Sequence, residues 1–183
     1  MSQPSLEATR LLAAEAHANT GQTYGGRPYV EHLDEVACVL RGVGLHNGDF
    51  LKVAYLHDMV EDTHWTSGML LKMEFSADIV AAVEFCTDAE GHNRKTRKAN
   101  THKRIRVALD ELLMKGSTLM GVIVKWADRI ANLRASTRND SKGLLKMYRK
   151  EAATFRAAYL PDFGSQSELF DRMLAEYDNL VSE

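Results

Sequence analysis

The chain has 183 residues, a formal net charge of −2 and 26% charged residues, which suits one soluble globular domain. The balanced charge excludes a global field that would attract nucleic acid or a membrane surface, and no apolar run approaches the roughly 18 residues of a membrane helix. With no signal-peptide pattern and two cysteines that form no CxxC pair, the protein is expected to be cytoplasmic.

The first part of the chain is predicted to form helices around one glycine-rich loop. The first helix, at about Leu6 to Asn19, is expected to end at Gly21. In the loop over 21–29, Pro28 is expected to open the second helix, because proline suits a first helical turn. That helix is predicted to stop around 42–44. Alternating patterns typical of strands are not evident in this region.

The first and second predicted helices carry one histidine each, His17 and His32. His17 lies near the end of the first helix and is expected to be a packed or capping residue. His32 lies in the second turn of its helix, beside an apolar stripe. A single histidine in that place is more often a core residue than a metal ligand, so its role depends on the residues that meet it.

The segment from His57 to Asp62 concentrates one imidazole and three carboxylates. Asn47 is expected to cap a buried helix that runs into this segment. In a continuous helix, positions i and i+4 share a face, so His57 would lie above Glu61 and Asp58 above Asp62. Crowded carboxylates repel one another and lose solvation when buried. A bound cation would remove both penalties, whereas a bare His-Asp pair is often a solvated helix end.

The remaining helices are predicted from caps and apolar spacing. Thr66 or Ser67 is expected to cap a short helix, and Ser76 a longer one. Gly116 is expected to close the helix that precedes it. Three long helices then follow, at about 118–134, 141–159 and 167–180.

The segment over 91–109 is strongly basic, with seven lysines and arginines and no acid. Such a run is usually a solvated helix face. Beside a cation-binding site it would also suit an anionic ligand, most simply a phosphate. Arg97 and Lys98 are the candidates for this contact.

Asp128 is the polar residue that stands out in the helix predicted at about 118–134. Lys125, Asp128 and Asn132 form a stripe at i, i+3 and i+7, adjacent to the apolar one. An aspartate at the border of a core is costly to desolvate unless it is paired. Asp128 is therefore a further candidate ligand.

Four residues from three predicted helices are expected to surround one metal ion: His32, His57, Asp58 and Asp128. Two imidazoles and two carboxylates suit Mn²⁺, Fe²⁺ or Zn²⁺, whereas calcium wants more oxygens and structural zinc usually uses cysteine. Open coordination positions would permit hydrolysis. Glu61 and Asp62 are the candidates to activate or position the water.

Three sequence blocks occur in an order that resembles a known family. They are 25–32 (Gly-Gly-Arg-Pro-Tyr-Val-Glu-His), 56–63 (Leu-His-Asp-Met-Val-Glu-Asp-Thr) and 125–134 (Lys-Trp-Ala-Asp-Arg-Ile-Ala-Asn-Leu-Arg). The chain resembles the HD-domain hydrolase module of RelA/SpoT homologues, and in length a stand-alone small alarmone hydrolase. The resemblance covers about 5–160 and implies an all-helical HD fold. The helical pattern itself predicts an all-α, single-domain chain over 1–183, and the helices of 141–181, which carry no reactive cluster, are expected to be scaffold.

The resemblance also implies an activity. A manganese ion would be held by the four ligands, with Zn²⁺, Fe²⁺ or Co²⁺ as alternatives, and Glu61 and Asp62 would handle the water. The implied reaction releases pyrophosphate from the 3′ position of ppGpp or pppGpp, the alarmones of the stringent response. Asn132 matches a family position that contacts the ribose, and Lys125 is a further candidate for substrate binding.

The first loop departs from the family pattern. Relatives that hydrolyse the guanosine alarmone usually carry Arg-Lys after a glutamine, whereas Gln22 is followed here by Thr23 and Tyr24, with Arg27 displaced. Tyrosine stacks on bases but cannot neutralise a phosphate. Tyr24 is expected to pack near the base and Arg27 to contact substrate. The adenosine alarmone ppApp, NADPH losing its 2′-phosphate, and other phosphorylated nucleotides stay open as substrates.

Two other classes share some of these features. An HD phosphodiesterase for cyclic dinucleotides needs further histidines, typically an adjacent pair, whereas His64, His92 and His102 are isolated; an HD 5′-nucleotidase stays open. A non-catalytic nucleotide sensor would need no water-activating acids. The expected partner is thus a phosphorylated purine nucleotide, and not nucleic acid or a membrane. The sequence leaves base preference, the native metal and homo-oligomer formation open.

Overall fold

Helices form nearly all of the regular structure in the computed structural model, which describes residues 3–111, 116–160 and 168–182. In chain order the elements are α1 (Leu6–Asn19), β1 (Thr23–Tyr24), β2 (Arg27–Pro28), α2 (Val30–Gly42), α3 (Gly48–Leu56), α4 (Met59–Asp62), α5 (Ser67–Lys72), α6 (Ala77–Cys86), α7 (Arg94–Glu111), α8 (Gly116–Arg138), α9 (Lys142–Tyr159) and α10 (Glu168–Ser182). The predicted all-α class is confirmed. Within the described ranges, no helix combines the length and apolar character needed to cross a membrane.

Side-chain caps fix several helix starts where the sequence indicated them. Asn47 Oδ1 accepts a hydrogen bond from the third helix at 2.9 Å, and the hydroxyls of Thr66 and Ser76 cap α5 and α6 at 3.3 Å each. Ser5 caps α1 in the same way at 3.1 Å. These bonds satisfy amides that have no partner within the helix, and the predicted caps are confirmed.

The central helix of the fold is α8, which packs against α2, α3, α6, α9 and α10. Its buried stripe is the predicted one: Val122, Trp126, Ile130 and Leu133. Trp126 Nε1 donates a 2.9 Å hydrogen bond to the carbonyl of Tyr159 and so ties α8 to α9. Where α6 crosses, a Cβ on Gly121 would lie 2.8 Å from Phe85 Cδ1. The close approach of α6 and α8 therefore depends on the missing side chain.

The glycine-rich loop is a β-hairpin that the sequence analysis did not predict. Strands β1 and β2 pair in antiparallel register, with Tyr24 opposite Arg27. The turn residues Gly25 and Gly26 have φ angles of 60° and 81°, the left-handed backbone that a two-residue hairpin turn of this kind requires. Pro28 lies in β2, so its predicted place at the start of α2 is wrong.

The third helix ends before His57. Helix α3 stops at Leu56, while His57 and Asp58 form a turn before α4. His57 Nδ1 lies 2.8 Å from the carbonyl of Ala54, which a continuing helix would offer to the amide of Asp58 instead. The predicted continuous helix is therefore wrong here. One helical turn follows, since the amide of Asp62 donates to the carbonyl of Asp58 at 2.8 Å.

Two further boundaries differ from the prediction. Gly116 begins α8 instead of closing the helix before it, and α8 continues to Arg138. Glycine occurs at both ends of helices, so its presence alone does not show which helix it bounds. Helix α7 is described as far as Glu111. The predicted separation of the last two helices at 161–164 and the start at 167 lie outside the described residues.

Candidate metal centre

Two histidines and two aspartates from distant parts of the chain meet at one point. His32 lies on α2, His57 and Asp58 lie at the break between α3 and α4, and Asp128 lies on α8. Ligand atoms of His32, His57 and Asp128 lie within 4.8 Å of one another. Asp58 Oδ2 lies 3.0 Å from His57 Nε2 and 3.7 Å from His32 Nε2. The structure thus brings together the four residues predicted as metal ligands.

The chemistry of this donor set fits a divalent ion. His57 Nε2 is buried and has no hydrogen-bond partner in the described part of the chain, although Asp58 and Asp128 oxygens lie 3.0 and 3.7 Å away. A buried polar atom without a partner is unfavourable. A cation between these nitrogens and oxygens would be such a partner, and two nitrogens with two carboxylates suit Mn²⁺, Fe²⁺ or Zn²⁺.

In the metal-free chain, His57 and the two aspartates stabilise one another's charges. Burial disfavours the charged imidazole, but Asp58 and Asp128 outweigh burial and raise the pKa of His57 to about 10. Burial also opposes charge on the aspartates, yet the histidines hold the pKa of both carboxyl groups below the usual range. A protonated His57 therefore supplies the positive charge that a metal ion would bring.

A second layer of side chains supports the ligands. The hydroxyl of Tyr29 donates a 2.6 Å hydrogen bond to Asp58 Oδ2. Tyr29 is held in turn by His17, which is fully buried and stacks on the Tyr29 ring with centroids 4.3 Å apart. His17 is thereby confirmed as a packed residue. Ligand orientation by such contacts is a regular property of metal sites.

The two acids predicted to handle water have different partners. Glu61 and Asp62 both line the pocket beside the ligands. The amide of Asp88 donates to Glu61 Oε2 at 2.9 Å. Burial, followed by the nearby carboxylates of Asp58 and Glu61, raises the pKa of Asp62 to about 6. Asp62 can therefore exchange a proton near neutral pH.

A pocket of about 150 Å³ opens beside the four ligands. Three of the ligands, His32, Asp58 and Asp128, line it together with the two acids. Four cations also line it: Arg94, Lys98, Lys125 and Arg129. Lys98 is paired with Asp88 at 2.9 Å, Arg129 with Glu151 at 3.2 Å, and Lys125 Nζ lies 3.8 Å from Asp128 Oδ2. Carboxylates and cations around one pocket suit a ligand whose anionic end lies next to a bound cation.

The predicted substrate residues do not all reach this pocket. Lys98, Lys125 and Asn132 line it, whereas Arg97 and Arg27 are not among its lining residues. Arg97 is exposed, because the face of α7 towards the pocket belongs to residues one helical turn apart, namely 94 and 98. Arg27 instead forms an exposed ion pair with Glu31 of α2, at 2.8 Å. The structure therefore does not support the predicted placement of Arg97 and Arg27 at the substrate.

Two cations that line the pocket, Arg94 and Arg129, were not among the predicted substrate-binding residues. Arg94 belongs to the basic segment, where helical spacing from Lys98 would have identified it. Arg129 directly follows Asp128 and also lies over the ring of Tyr148, 4.8 Å from its centroid. Its place in the sequence block 125–134, next to Asp128, is the signal that could have identified it.

Tyr24 lies beside the ligands instead of in the pocket wall. Its ring stacks on the imidazole of His32, with centroids 4.6 Å apart and planes at 27°. Its hydroxyl donates to Asn132 Oδ1 at 2.8 Å, and Asn132 Nδ2 donates to Asp128 Oδ1 at 2.5 Å. Tyr24 is engaged by the site's own residues. These contacts do not support its predicted place against a base.

Comparisons with known proteins agree with this geometry. A family model described as an HD domain matches residues 9–158. The human guanosine-3′,5′-bis(diphosphate) 3′-pyrophosphohydrolase MESH1 is 32% identical over 139 residues, covering 75% of this chain and 72% of that protein. The probable chloroplastic GTP diphosphokinase RSH3 of Oryza sativa subsp. japonica is 30% identical over 120 residues, covering 64% of this chain and 17% of that protein.

A solved structure extends the agreement to the fold. A metazoan orthologue of SpoT, described as hydrolysing ppGpp and acting in starvation responses, matches with a TM-score of 0.66 at 20% identity, over 100% of this chain and 97% of that one. This chain spans only 14–17% of the length of its long relatives from rice and bacteria. Because the family model covers most of the chain and the match to MESH1 covers most of both proteins, the chain belongs to the HD-domain family and is a homologue of the SpoT/RelA-family hydrolases.

Proposed function

We propose that this chain is a metal-dependent nucleotide phosphohydrolase that removes pyrophosphate from the 3′ position of (p)ppGpp or a related alarmone such as ppApp. The observation that carries the proposal is the convergence of His32, His57, Asp58 and Asp128 beside a pocket that four cations also line. The substrate class is supported by MESH1 and the SpoT orthologue, whose names state that they act on this nucleotide.

The four converging residues are proposed to hold Mn²⁺, with Zn²⁺, Fe²⁺ or Co²⁺ as alternatives. When bound, such an ion would polarise a phosphoryl oxygen and lower the pKa of water. The reaction adds water across the bond between the ribose 3′ oxygen and the adjacent phosphorus, so that pyrophosphate leaves and the 3′ hydroxyl is restored.

The division of labour between the two acids follows from their contacts. Asp62, whose pKa is raised to about 6, is proposed to accept the proton of the attacking water. Glu61 is held by the amide of Asp88 and is proposed to orient the water through its other carboxylate oxygen. An acceptor with a fixed position limits the directions from which water can approach.

The cations are proposed to bind the phosphates. Burial disfavours charge on Lys125, but Asp128 and Asp58 more than compensate and raise the pKa of Lys125, so the ammonium stays charged at every physiological pH. Arg94, Lys98 and Arg129 line the same pocket. Developing charge on a transferred phosphoryl group is stabilised best by such preorganised cations.

The size of the pocket favours recognition of the phosphates over the base. A volume of about 150 Å³ is below the roughly 300 Å³ at which pockets begin to enclose a drug-sized ligand. The base would therefore lie outside, and the loop with Tyr24 lacks the Arg-Lys pair of guanosine-specific relatives. We propose relaxed or altered base choice. NADPH, losing its 2′-phosphate, is the second candidate substrate.

A substrate panel tests the proposal. Purified full-length protein with Mn²⁺ is incubated with ppGpp, ppApp and NADPH, and released pyrophosphate and phosphate are quantified separately. His57→Ala serves as the site variant and His64→Ala, at an exposed histidine, as its control. Pyrophosphate from ppGpp or ppApp in the wild type and control, lost in His57→Ala, is expected. Phosphate from NADPH alone would favour the phosphatase, and no turnover by metal-loaded protein would contradict an enzymatic role.

A further inference from the structure

His32 and His57 are oriented by different means, although both face the same point. His57 has the usual outer contact of a metal-binding histidine, because its Nδ1 lies 2.8 Å from the carbonyl of Ala54. His32 Nδ1 is buried and has no hydrogen-bond partner in the residues that the structure describes. Nε2 faces Asp128 Oδ1 at 3.3 Å, so on its outer side the imidazole of His32 is held by ring packing.

Two tyrosines supply that packing. Tyr24 stacks on the His32 ring at 4.6 Å with an interplanar angle of 27°, and Tyr29 meets it edge-on at 5.3 Å and 68°. Both geometries are favourable for aromatic pairs. The stack with Tyr24 covers a face of the imidazole and so opposes rotation of the ring out of the site.

The hydroxyl of the same tyrosine reaches a second ligand. It donates to Asn132 Oδ1 at 2.8 Å, and the amide nitrogen of Asn132 donates to Asp128 Oδ1 at 2.5 Å. The hydroxyl therefore determines which end of the Asn132 amide faces the aspartate, since the oxygen is already occupied. Through one side chain, the hairpin contacts ligands on α2 and α8.

We propose that Tyr24 is a positioning residue of the metal centre, holding His32 by its ring and Asp128 through Asn132, and that it is not a platform for the nucleobase. The inference rests on the proposed metal site. In relatives with the Arg-Lys pair, this loop is expected to contact the substrate. In this chain the same loop carries Tyr24, which instead orients the metal ligands. The hairpin turn at Gly25 and Gly26 fixes the strand that carries Tyr24.

Metal affinity tests the proposal independently of turnover. The Kd for Mn²⁺ is measured by competition with a chelating dye in wild type, Tyr24→Phe and Tyr24→Leu. Loss of an outer contact typically weakens metal binding by about 10–100-fold. We expect about 10-fold in Tyr24→Phe, which keeps the stack, and about 100-fold in Tyr24→Leu, which loses both contacts. Tyr55→Phe is the matched control, because the Tyr55 hydroxyl donates at 3.1 Å to Asp34, outside the metal centre.

A double-mutant cycle separates positioning from general destabilisation. If the hydroxyl acts through Asn132, adding Tyr24→Phe to Asn132→Ala should leave the Kd of Asn132→Ala unchanged. The Tm of the metal-free protein is recorded for each variant, and Tyr24→Phe is expected to match Tyr55→Phe. Wild-type Kd in Tyr24→Leu, or equal weakening by Tyr55→Phe, would overturn the inference while leaving the metal site intact. Failure of the wild type to bind any divalent ion would instead overturn the proposed function, and this inference with it.

Discussion

The backbone amide of Asp88 donates a 2.9 Å hydrogen bond to Glu61 Oε2, joining the segment after α6 to the short helix α4. Glu61 is therefore anchored, whereas the neighbouring Asp62 has its pKa raised to about 6. Asp62→Asn is expected to lower kcat by about 10²–10⁴-fold, the usual contribution of a general base. Glu61→Gln keeps an oxygen that accepts from Asp88 and should lose less.

The measurement is steady-state pyrophosphate release at saturating Mn²⁺, with metal affinity recorded in parallel. Both variants should bind the ion as the wild type does, because neither residue is a proposed ligand. A larger loss in Glu61→Gln than in Asp62→Asn would reverse the assignment of the two acids.

Metal binding should stabilise the folded chain, because the four ligands converge only in the native state. At a free Mn²⁺ concentration of 100 times Kd, the free energy of unfolding should rise by about 2.7 kcal/mol, which corresponds to roughly 5–10 °C in Tm for a domain of this size. Asp128→Ala should remove the shift, whereas His64→Ala should retain it. Thermal scans with and without a chelator make the comparison. An equal shift in Asp128→Ala would place the ion elsewhere.

Gly121→Ala should destabilise the protein, since its Cβ would lie 2.8 Å from Phe85 Cδ1 and 2.9 Å from Phe85 Cβ. Overpacking costs about 1–3 kcal/mol and exceeds the roughly 1 kcal/mol gained from alanine's helix propensity. Gly143→Ala is the control, because nothing lies within 4 Å of its added Cβ, and it should be neutral or stabilising. Urea unfolding gives both values. A stabilised Gly121→Ala would show that Phe85 moves freely.

His17 should make stability depend on pH. Burial lowers its pKa to about 4, so below the ordinary value of about 6.5 the unfolded chain binds a proton that the folded chain does not. The contribution of His17 is fully present above about pH 6.5 and is lost as pH falls towards 4, by about 2 kcal/mol at pH 5.

The comparison uses His17→Phe, which retains a ring against Tyr29. Free energies of unfolding of the metal-free proteins are measured in urea at about pH 7.5 and about pH 5. Titrations of other groups are common to both proteins, so the smaller loss expected in His17→Phe isolates this imidazole. Equal losses would mean that His17 is charged in the folded state.

Local signals predicted much of the fold. Helix α1 spans the predicted residues Leu6–Asn19, and Asn47, Thr66 and Ser76 cap the helices that they were expected to cap. These boundaries depend on interactions within one turn of the chain. The four residues predicted as metal ligands also lie together in the structure, and their role as ligands stays a prediction; they were identifiable because buried charge needs a partner wherever the fold places it.

The errors arose where no pattern visible in the sequence encodes the contact that decides the structure. The α3–α4 break depends on the His57 ring near the carbonyl of Ala54, which helical spacing does not encode. The hairpin has two residues in each strand, too few for alternation to be visible, although Gly25 and Gly26 indicate its turn. Tyr24 was predicted to face a base because tyrosine can stack on one. Its hydrogen bond to Asn132 was not foreseen, since Asn132 lies on α8, far along the chain.

The central position of α8 also bears on how the chain folds during synthesis. Helices α2, α3 and α6 bury their apolar faces against α8, yet all three leave the ribosome before it. A nascent chain that ends before residue 116 would expose those faces, and exposed apolar surface makes partly folded chains prone to aggregation. Translation pauses in the segment between α6 and α8 should therefore increase the dependence of this protein on chaperones.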